Sequence, residues 1–178
     1  EGSLSVLNGK AELKELLNDS NVDVIISAIS GFAGLETTLI AAKTGKVILL
    51  ANKESIVVAG DIILPLAKEY GSTIIPIDSE HNAIFQCLAS EKNTNDVSKI
   101  IITASGGPFE GKKLLDLKDV TQKEALNHPN WDMGSKISID SATLVNKCLE
   151  LIEARYLFDL NEKYFELVIH PQSIIHSI

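Results

Sequence analysis

The 178-residue sequence is poor in the residues that build disulfide scaffolds and nucleic-acid interfaces. Its only two cysteines, Cys87 and Cys148, lack CxxC spacing, so neither a disulfide framework nor a zinc site is indicated. Both have apolar neighbours, and we expect two buried thiols. Lysine and arginine number 16 against 24 acidic residues, and the net charge of −8 argues against binding to nucleic acid or to an anionic membrane.

Long hydrophobic runs are also missing. The apolar stretches fall far short of the roughly 20 residues needed to span a bilayer, so we expect neither a transmembrane segment nor a membrane partner. Residues 1–10 contain neither an initiator methionine nor a targeting pattern. We therefore expect the chain to be an internal fragment of a longer protein.

Short apolar runs alternate with helical patterns over the first 77 residues. Strands are predicted at residues 22–29, 47–50 and 73–77, and helices just after Gly9, at 35–43 and at 61–70. This β-α-β order with continuous apolar strands favours a parallel sheet covered by helices on both faces. Ligands of such sheets gather at the carboxyl ends of the strands, where residues 51–55 and 78–81 follow two of them.

The pattern loosens beyond residue 77. We predict a helix at 81–89, a polar loop at 91–96, a strand at 99–104, a long helix at 141–158 and a last strand at 165–169. This half is typical of an α+β domain. The sequence therefore predicts an α/β protein with two domains, residues 1–77 and 78–178.

Two carboxylates follow the strand at 73–77. On an extended backbone, Asp78 and Glu80 point to the same side and reach one hard cation such as Mg²⁺ or Mn²⁺. The alternative is that Asp78 or Ser79 only caps the next helix, with Glu80 adding favourable charge to its first turn. Both interpretations stay open at this point.

The predicted long helix carries one polar stripe on a mostly apolar surface. Thr143, Asn146, Lys147 and Glu150 follow the i, i+3, i+4, i+7 spacing and share one face. A helix with so much apolar surface packs on several sides, so the stripe faces either a narrow strip of solvent or a cleft.

Two loops contain residue types that suit ligand binding. The glycine turn 105–107 follows a strand and exposes backbone N–H groups suited to an anion. Glycine turns are also common in loops that bind no ligand, so this signal alone is weak. His128 and Trp131 share a loop, and an indole in a loop is either a binding surface, a lid or part of a packed loop. Taken alone, Lys53 is an ordinary surface lysine, and His170 and His176 are structural histidines.

Taken together, these segments closely resemble the 1-deoxy-D-xylulose 5-phosphate reductoisomerase family. The stretches that carry the resemblance are ANKES at 51–55, DSEHNAIFQCL at 78–88, ASGGPF at 104–109, HPNW at 128–131, KIS at 136–138, DSAT at 140–143, NK at 146–147, ELIEA at 150–154 and HPQSIIHS at 170–177. They occur in one order over nearly the whole chain. The resemblance implies a Rossmann-like NADPH-binding domain, of which residues 1–77 are the later part, followed by a truncated catalytic domain.

The resemblance also implies which residues form the site. A Mg²⁺ or Mn²⁺ site would use Asp78, Glu80 and Glu150. The sugar phosphate would contact Lys53, Ser79, Glu80, Ser105, His128, Trp131, Ser141, Asn146, Lys147 and Glu150, with its phosphate at Ser105, Ser141, Asn146 and Lys147. NADPH would be approached by Asn52, Glu54, Met133 and Gly134.

The implied reaction rearranges the carbon skeleton of 1-deoxy-D-xylulose 5-phosphate and reduces the product to 2-C-methyl-D-erythritol 4-phosphate in non-mevalonate isoprenoid biosynthesis. Lys53, Glu80 and His128 would be catalytic, with proton transfer by Glu80 or Lys53 left open. The loop with Trp131 and Met133 would close as a lid.

Departures from the family limit what the chain is expected to do alone. The family's N-terminal glycine-rich cofactor turn and its C-terminal helical domain are missing, so we expect weak NADPH binding and little or no turnover. Cys148 stands where relatives commonly carry glycine. The full-length enzyme is expected to be a homodimer, cytoplasmic in a bacterium or in a plastid-type organelle of a eukaryote. Competing interpretations are a metal-dependent sugar-phosphate isomerase or aldolase without a reduction step, and a non-catalytic module.

Overall fold

The computed structural model describes residues 9–89 and 96–178. It divides into two compact units, Glu1–Ile77 and Asp78–Ile178. Apart from Asp96, the predicted polar loop at 91–96 lies outside the described residues. Each helix that the structure describes is too short or too polar to cross a lipid bilayer.

The first unit is built on a three-stranded parallel sheet. Its elements are α1 (Lys10–Asn18), β1 (Val24–Ser27), a 3-10 turn (Gly31–Gly34), α2 (Leu35–Ala42), β2 (Val47–Leu50), α3 (Lys53–Tyr70) and β3 (Thr73–Pro76). The strands lie in the order β1-β2-β3, with Val24 opposite Val47 and Val47 opposite Thr73. The predicted β-α-β succession and the α/β fold class are confirmed.

Helices cover one face of this sheet. Ile25 and Ile48 point to that face and form a core cluster with Leu17 of α1 and Ala41 of α2. On the opposite face, the side chains of Val24 and Ile26 are exposed. The prediction of a sheet covered on both faces is therefore wrong for the described residues, because continuous apolar strands do not by themselves say where helices pack.

Helix α3 begins eight residues earlier than the predicted start at Asp61. The side chain of Asn52 accepts a hydrogen bond from the backbone N–H of Ser55 and caps the helix. Ala59 (φ −140°) is non-helical and kinks the helix. The kink interrupts the helical spacing of apolar residues, so the sequence pattern indicated only the second part of the helix. Residues 53 and 54 thus belong to the first turn of a helix that starts at the carboxyl end of β2.

The second unit contains a two-stranded parallel sheet, four α-helices and two 3-10 turns among its described elements. These are α4 (Ser79–Leu88), β4 (Ile100–Ala104), a 3-10 turn (Leu114–Leu117), α5 (Gln122–Leu126), α6 (Ser135–Ala142), α7 (Val145–Phe158), a further 3-10 turn (Glu162–Tyr164) and β5 (Phe165–Ile169). Ile100 pairs with Phe165 and Ala104 with Ile169. Ile84 of α4 and Ala154 of α7 pack against β4 around the fully buried Ile102.

The predicted helix over 141–158 is two helices. Leu144 adopts a left-handed conformation (φ 60°) and separates α6 from α7. Thr143 is the last residue of the α6 side, where its hydroxyl donates to the carbonyl of Ile139 (2.9 Å). The expected polar stripe therefore loses Thr143, because the break rotates it away from the face that α7 presents.

The two cysteines are exposed, so the prediction of buried thiols is wrong. Cys87 lies on α4 and Cys148 on α7, and in both helices other side chains fill the inward positions. Ile84 takes that position in α4 and Ala154 in α7. Apolar neighbours in the sequence of a helix do not fix which face a cysteine occupies.

Gly107, in the turn after β4, packs closely against the backbone of α6. A Cβ on Gly107 (φ 71°) would lie 2.9 Å from the carbonyl oxygen of Ser141, whereas a Cβ on Gly111 (φ 77°) would meet nothing within 4 Å. We expect Gly111→Ala to lower the free energy of unfolding by about 1–2 kcal/mol, the cost of the left-handed backbone alone. Gly107→Ala should cost at least about 1 kcal/mol more, because a backbone atom must also move. Equal losses in urea unfolding would contradict the close contact.

Candidate functional site

A cavity of about 260 Å³ lies within the second unit. It collects almost all the site residues predicted in that unit, namely Asp78, Ser79, Glu80, Ser105, His128, Trp131, Met133, Ser141, Asn146, Lys147 and Glu150. Gly134 does not line it and instead precedes the first residue of α6. Residues that are separated by up to 72 positions in the sequence thus share one surface.

Three carboxylates converge at one side of the cavity. Asp78, Glu80 and Glu150 each offer an oxygen, and these atoms lie within 4.8 Å of one another. Asp78 also caps α4 by accepting from the backbone N–H of Glu80 (3.3 Å), so the cap and the cluster coexist. Three hard oxygen ligands suit Mg²⁺ or Mn²⁺.

Lys147 brings a positive charge into this cluster. Its side chain is 9% exposed, and Nζ lies 3.0 Å from Glu80 Oε1 and 2.5 Å from Glu150 Oε2. Asn146 donates to the other oxygen of Glu150 (2.5 Å). Asn146, Lys147 and Glu150 of the predicted polar stripe therefore face the cavity. The carboxylates already bind one cationic group, the Lys147 ammonium.

A buried histidine lies behind the carboxylates. His81 Nδ1 is 3.2 Å from Asp78 Oδ1, and Nε2 is 2.9 Å from the backbone carbonyl of Glu150. Burial lowers the pKa of His81, but the hydrogen bond with Asp78, the negative charges of Glu153 and Asp78, and the Glu150 carbonyl outweigh it and raise the pKa to about 9. The imidazolium donates from both nitrogens and joins the start of α4 to the middle of α7.

Sequence reasoning missed His81 and Glu153 as partners of the site. The spacing of three between Asp78 and His81 was a visible signal, since it places both at the first turn of α4. Glu153 is fully buried, and its Oε2 lies 3.5 Å from His81 Nε2. A buried glutamate on a helix cannot be recognised from the sequence, because helical spacing does not reveal depth.

His128 is held in one tautomer by the turn that follows it. Its Nδ1 accepts from the backbone N–H groups of Asn130 and Trp131 (3.2 Å each), so the proton lies on Nε2. Nε2 donates to Ser105 Oγ at 3.2 Å. Burial lowers the pKa of His128, in agreement with a neutral ring at the cavity wall.

Loop residues contribute part of the cavity lining, and one of them, Trp131, is 49% exposed. Ser79, the first residue of α4, also lines the cavity, and its Oγ donates to Glu80 Oε2 (2.7 Å). The C-terminal segment contributes further lining residues that the site prediction did not include, namely Ser173, Ile175 and His176. Their motif was recognised, but its histidines were interpreted as structural.

The remaining predicted residues belong to the first unit. Asn52, Lys53 and Glu54 stand at the start of α3, and both Asn52 and Lys53 are buried. The interpretation of Lys53 as an ordinary surface lysine is wrong, because the helix start at the end of β2 places it inside the unit. Asn52 Nδ2 donates to Glu54 Oε2 (3.2 Å).

Two family models match most of the chain. The model for 1-deoxy-D-xylulose 5-phosphate reductoisomerase matches residues 1–60, and the model for the C-terminal domain of that enzyme matches residues 74–158. A curated 1-deoxy-D-xylulose 5-phosphate reductoisomerase of Bacteroides fragilis is 50% identical over 175 residues, which is 98% of this chain and 45% of that protein. The enzyme of that name from Thermoanaerobacter pseudethanolicus is 51% identical over 176 residues, which is 99% of this chain and 46% of that protein. The chain spans a little less than half the length of these relatives.

Solved structures agree with these relatives. A crystal structure of DOX-P reductoisomerase in complex with NADPH, fosmidomycin and magnesium shares 52% identity and a TM-score of 0.88, over 95% of this chain and 44% of that chain. The structure of 1-deoxy-D-xylulose 5-phosphate reductoisomerase from Zymomonas mobilis in complex with NADPH shares 49% identity and a TM-score of 0.84, over 94% of this chain and 42% of that chain.

The pKa of His128 predicts a pH-dependent change at Trp131, the only tryptophan in the sequence. When His128 Nδ1 is protonated, it can no longer accept the hydrogen bonds from the backbone N–H groups of Asn130 and Trp131. Because the folded pKa lies below the ordinary value of 6.5, stability is highest above pH 6.5 and falls as the pH drops below it. We expect the fluorescence emission of Trp131 to change with pH, with a midpoint below pH 6.5.

Two variants serve as controls. His128→Asn keeps a hydrogen-bond acceptor that cannot be protonated and should abolish the transition, whereas His170→Gln should retain it. A transition that survives His128→Asn would contradict this assignment.

The position of Lys147 predicts a large effect of removing its charge. In chelator-treated protein, Lys147→Met should lower the free energy of unfolding by about 2–4 kcal/mol, since it leaves buried carboxylates without this ammonium. The control is Lys136→Met, which removes an exposed pair with Asp140 (2.6 Å) and should change stability by less than about 1 kcal/mol. Urea unfolding measures both, and similar losses would argue against a buried charge cluster.

Proposed function

The chain belongs to the 1-deoxy-D-xylulose 5-phosphate reductoisomerase family, and we propose that its full-length protein converts 1-deoxy-D-xylulose 5-phosphate to 2-C-methyl-D-erythritol 4-phosphate with NADPH and a divalent cation. The observation that carries the proposal is the convergence of three carboxylates, a buried lysine and a glycine turn on one cavity. Residues 1–77 would be the later part of the NADPH-binding domain, and residues 78–178 would belong to the catalytic domain.

The carboxylate cluster fits a divalent cation. Asp78, Glu80 and Glu150 would hold Mg²⁺ or Mn²⁺, a choice supported by their oxygen ligands and by the cationic Lys147 that already lies among them. When bound, the cation supplies a Lewis acid for the ketone and neighbouring hydroxyl oxygens of the substrate. His81 keeps the Asp78 carboxylate and the α7 backbone in register for this task.

The phosphate of the substrate would bind in the same cavity, next to the carboxylate cluster. Ser105, Ser141, Asn146 and Lys147 line this region, and the turn that contains Ser105 has two positive-φ glycines that leave its backbone close to α6. Hydroxyl, amide and ammonium donors suit a dianion. Binding energy from the phosphate would hold the reacting end of the sugar in place.

His128 is equipped to hold a proton at the substrate. Its Nε2–H points to Ser105 Oγ, and the backbone donors at Nδ1 keep the ring neutral. On substrate binding, a sugar oxygen would replace Ser105 Oγ as the acceptor of this proton. In the same way, a sugar oxygen would replace Glu80 Oε2 as the acceptor of the Ser79 hydroxyl proton. We assign proton transfer to Glu80 or Lys53. Trp131 and Met133 would close over the substrate and exclude water.

The nicotinamide cofactor would be approached by Asn52, Glu54, Met133 and Gly134. The start of α3 supports this role, because a capped helix N-terminus at the carboxyl end of a parallel strand is the usual place for a dinucleotide. When bound there, NADPH would supply a hydride for the reduction. Asn52 and Glu54 would orient the cofactor through the hydrogen bond that links them.

We also propose, from the family resemblance, that the full-length enzyme is a homodimer. Because both relatives described above are bacterial, we place it in the bacterial cytoplasm. A plastid-type organelle would apply to a eukaryotic source. The alternative of a sugar-phosphate isomerase or aldolase without reduction is not favoured, because related structures contain NADPH. In that alternative, residues 52–54 would have no role at a cofactor.

NADPH oxidation by the full-length protein tests the proposal. With 1-deoxy-D-xylulose 5-phosphate and Mn²⁺, absorbance of NADPH should fall, and Glu150→Gln should lower kcat/KM by at least about 100-fold because it removes one anionic ligand of the cation. Glu162→Gln is the control, since it removes an exposed carboxylate that pairs with Arg155 (3.7 Å). Isomerised product without NADPH oxidation would favour the alternative, and metal-independent oxidation would overturn the metal site.

A further inference from the structure

A buried chain of polar side chains runs through the first unit. It comprises Ser27 at the end of β1, Thr38 in α2, and Asn52 and Ser55 at the start of α3, each at most 2% exposed. Ser27 Oγ lies 2.8 Å from Thr38 Oγ1, which lies 3.2 Å from Ser55 Oγ. Ser55 Oγ in turn donates to Asn52 Oδ1. Three elements are thus joined by one hydrogen-bonded chain.

The protons of this chain have one consistent order. Because Ser55 donates to Asn52, the Thr38 hydroxyl is the donor to Ser55 Oγ, and it shares its proton with the carbonyl of Gly34 (2.9 Å). Ser27 in turn donates to Thr38. Asn52 Oδ1 also accepts from the backbone N–H of Ser55 (2.9 Å), which cannot act as an acceptor. A rotated amide would place its NH₂ group against that N–H. The orientation of the Asn52 side chain is therefore fixed.

The fixed amide clamps the turn between β1 and α2. Asn52 Nδ2 donates to the carbonyls of Ile29 (2.5 Å) and Gly31 (2.9 Å). A Cβ at Gly34 would lie 2.5 Å from the Ile29 carbonyl and 2.9 Å from the Asn52 amide, so the turn packs directly on the clamp. The backbone N–H of Asn52 also donates to the carbonyl of Ser27 (3.0 Å).

We propose that Ser27, Thr38 and Ser55 are positioning residues that orient Asn52, and through it the first turn of α3 with Glu54, for the nicotinamide cofactor. The inference rests on the proposed function. Apolar side chains of similar size would fill this space without the desolvation cost of three hydroxyl groups. The hydroxyl groups instead fix the orientation of the side chains that they contact, because a buried network with all its hydrogen bonds formed permits only one geometry.

Thr38→Val tests the inference because it removes the hydroxyl and keeps the shape. In the full-length protein, we expect the Kd for NADPH, measured by the cofactor's fluorescence without substrate, to rise about five- to tenfold, the scale of one or two lost hydrogen bonds. Thr38→Ser keeps the hydroxyl and should restore tight binding. Thr37→Val makes the same change one position along α2 and should bind NADPH like the unaltered protein. In turnover, the KM for NADPH should rise while kcat and the KM for the sugar phosphate stay constant.

Ser55→Ala provides a second test from the other end of the chain of hydroxyls and should raise the Kd in the same way. If both Thr38→Val and Ser55→Ala bind NADPH as tightly as Thr37→Val, the positioning role is wrong. It is equally wrong if the two variants lose thermal stability and show unchanged NADPH affinity. Because the Kd is measured without substrate, failure of the reductoisomerase reaction would leave this readout intact and would be recognised separately.

Discussion

The mutual repulsion of three carboxylates is the constraint on which the second unit depends. Asp78, Glu80 and Glu150 lie within 4.8 Å of one another, where two like charges repel by about 3–4 kcal/mol at an effective dielectric constant near 20. Nearby positive charge offsets this repulsion. Lys147 supplies that charge inside the cluster and His81 supplies it from behind, so both cations are buried for an electrostatic reason.

This constraint explains why α7 is polar where a helix is usually apolar. Lys147, Glu150 and Glu153 are buried, whereas Val145 and Ile152 on the same helix are exposed. The buried face of α7 carries the charged groups that contact the cavity and His81. The break at Leu144 separates α7 from α6, so α7 can orient this face independently of α6. Val145 and Ile152 are thereby left at the surface, while Ala154 still packs in the core.

The same physical logic applies to the first unit with neutral groups. There the carboxyl ends of β1 and β2 leave backbone groups to be satisfied, and Asn52 satisfies several of them at once as a helix cap and as a clamp on the turn after β1. Ser27, Thr38 and Ser55 hold the amide of Asn52. In both units, polar side chains at strand ends are buried because they complete a local network of hydrogen bonds or charges.

The sequence by itself determined the parallel β-α succession, the α/β class and the family, because strand and helix periods and contiguous motifs are local properties of the chain. It also brought Asp78 and Glu80 together, since two residues of spacing suffice. Only the tertiary structure decided that Lys53 and His81 are buried, that Cys87 and Cys148 are exposed, that the 141–158 segment breaks at Leu144, and that Glu153 supports His81. Depth, helix rotation and the pairing of charges distant in sequence depend on which elements pack together, and helical periodicity carries no record of that.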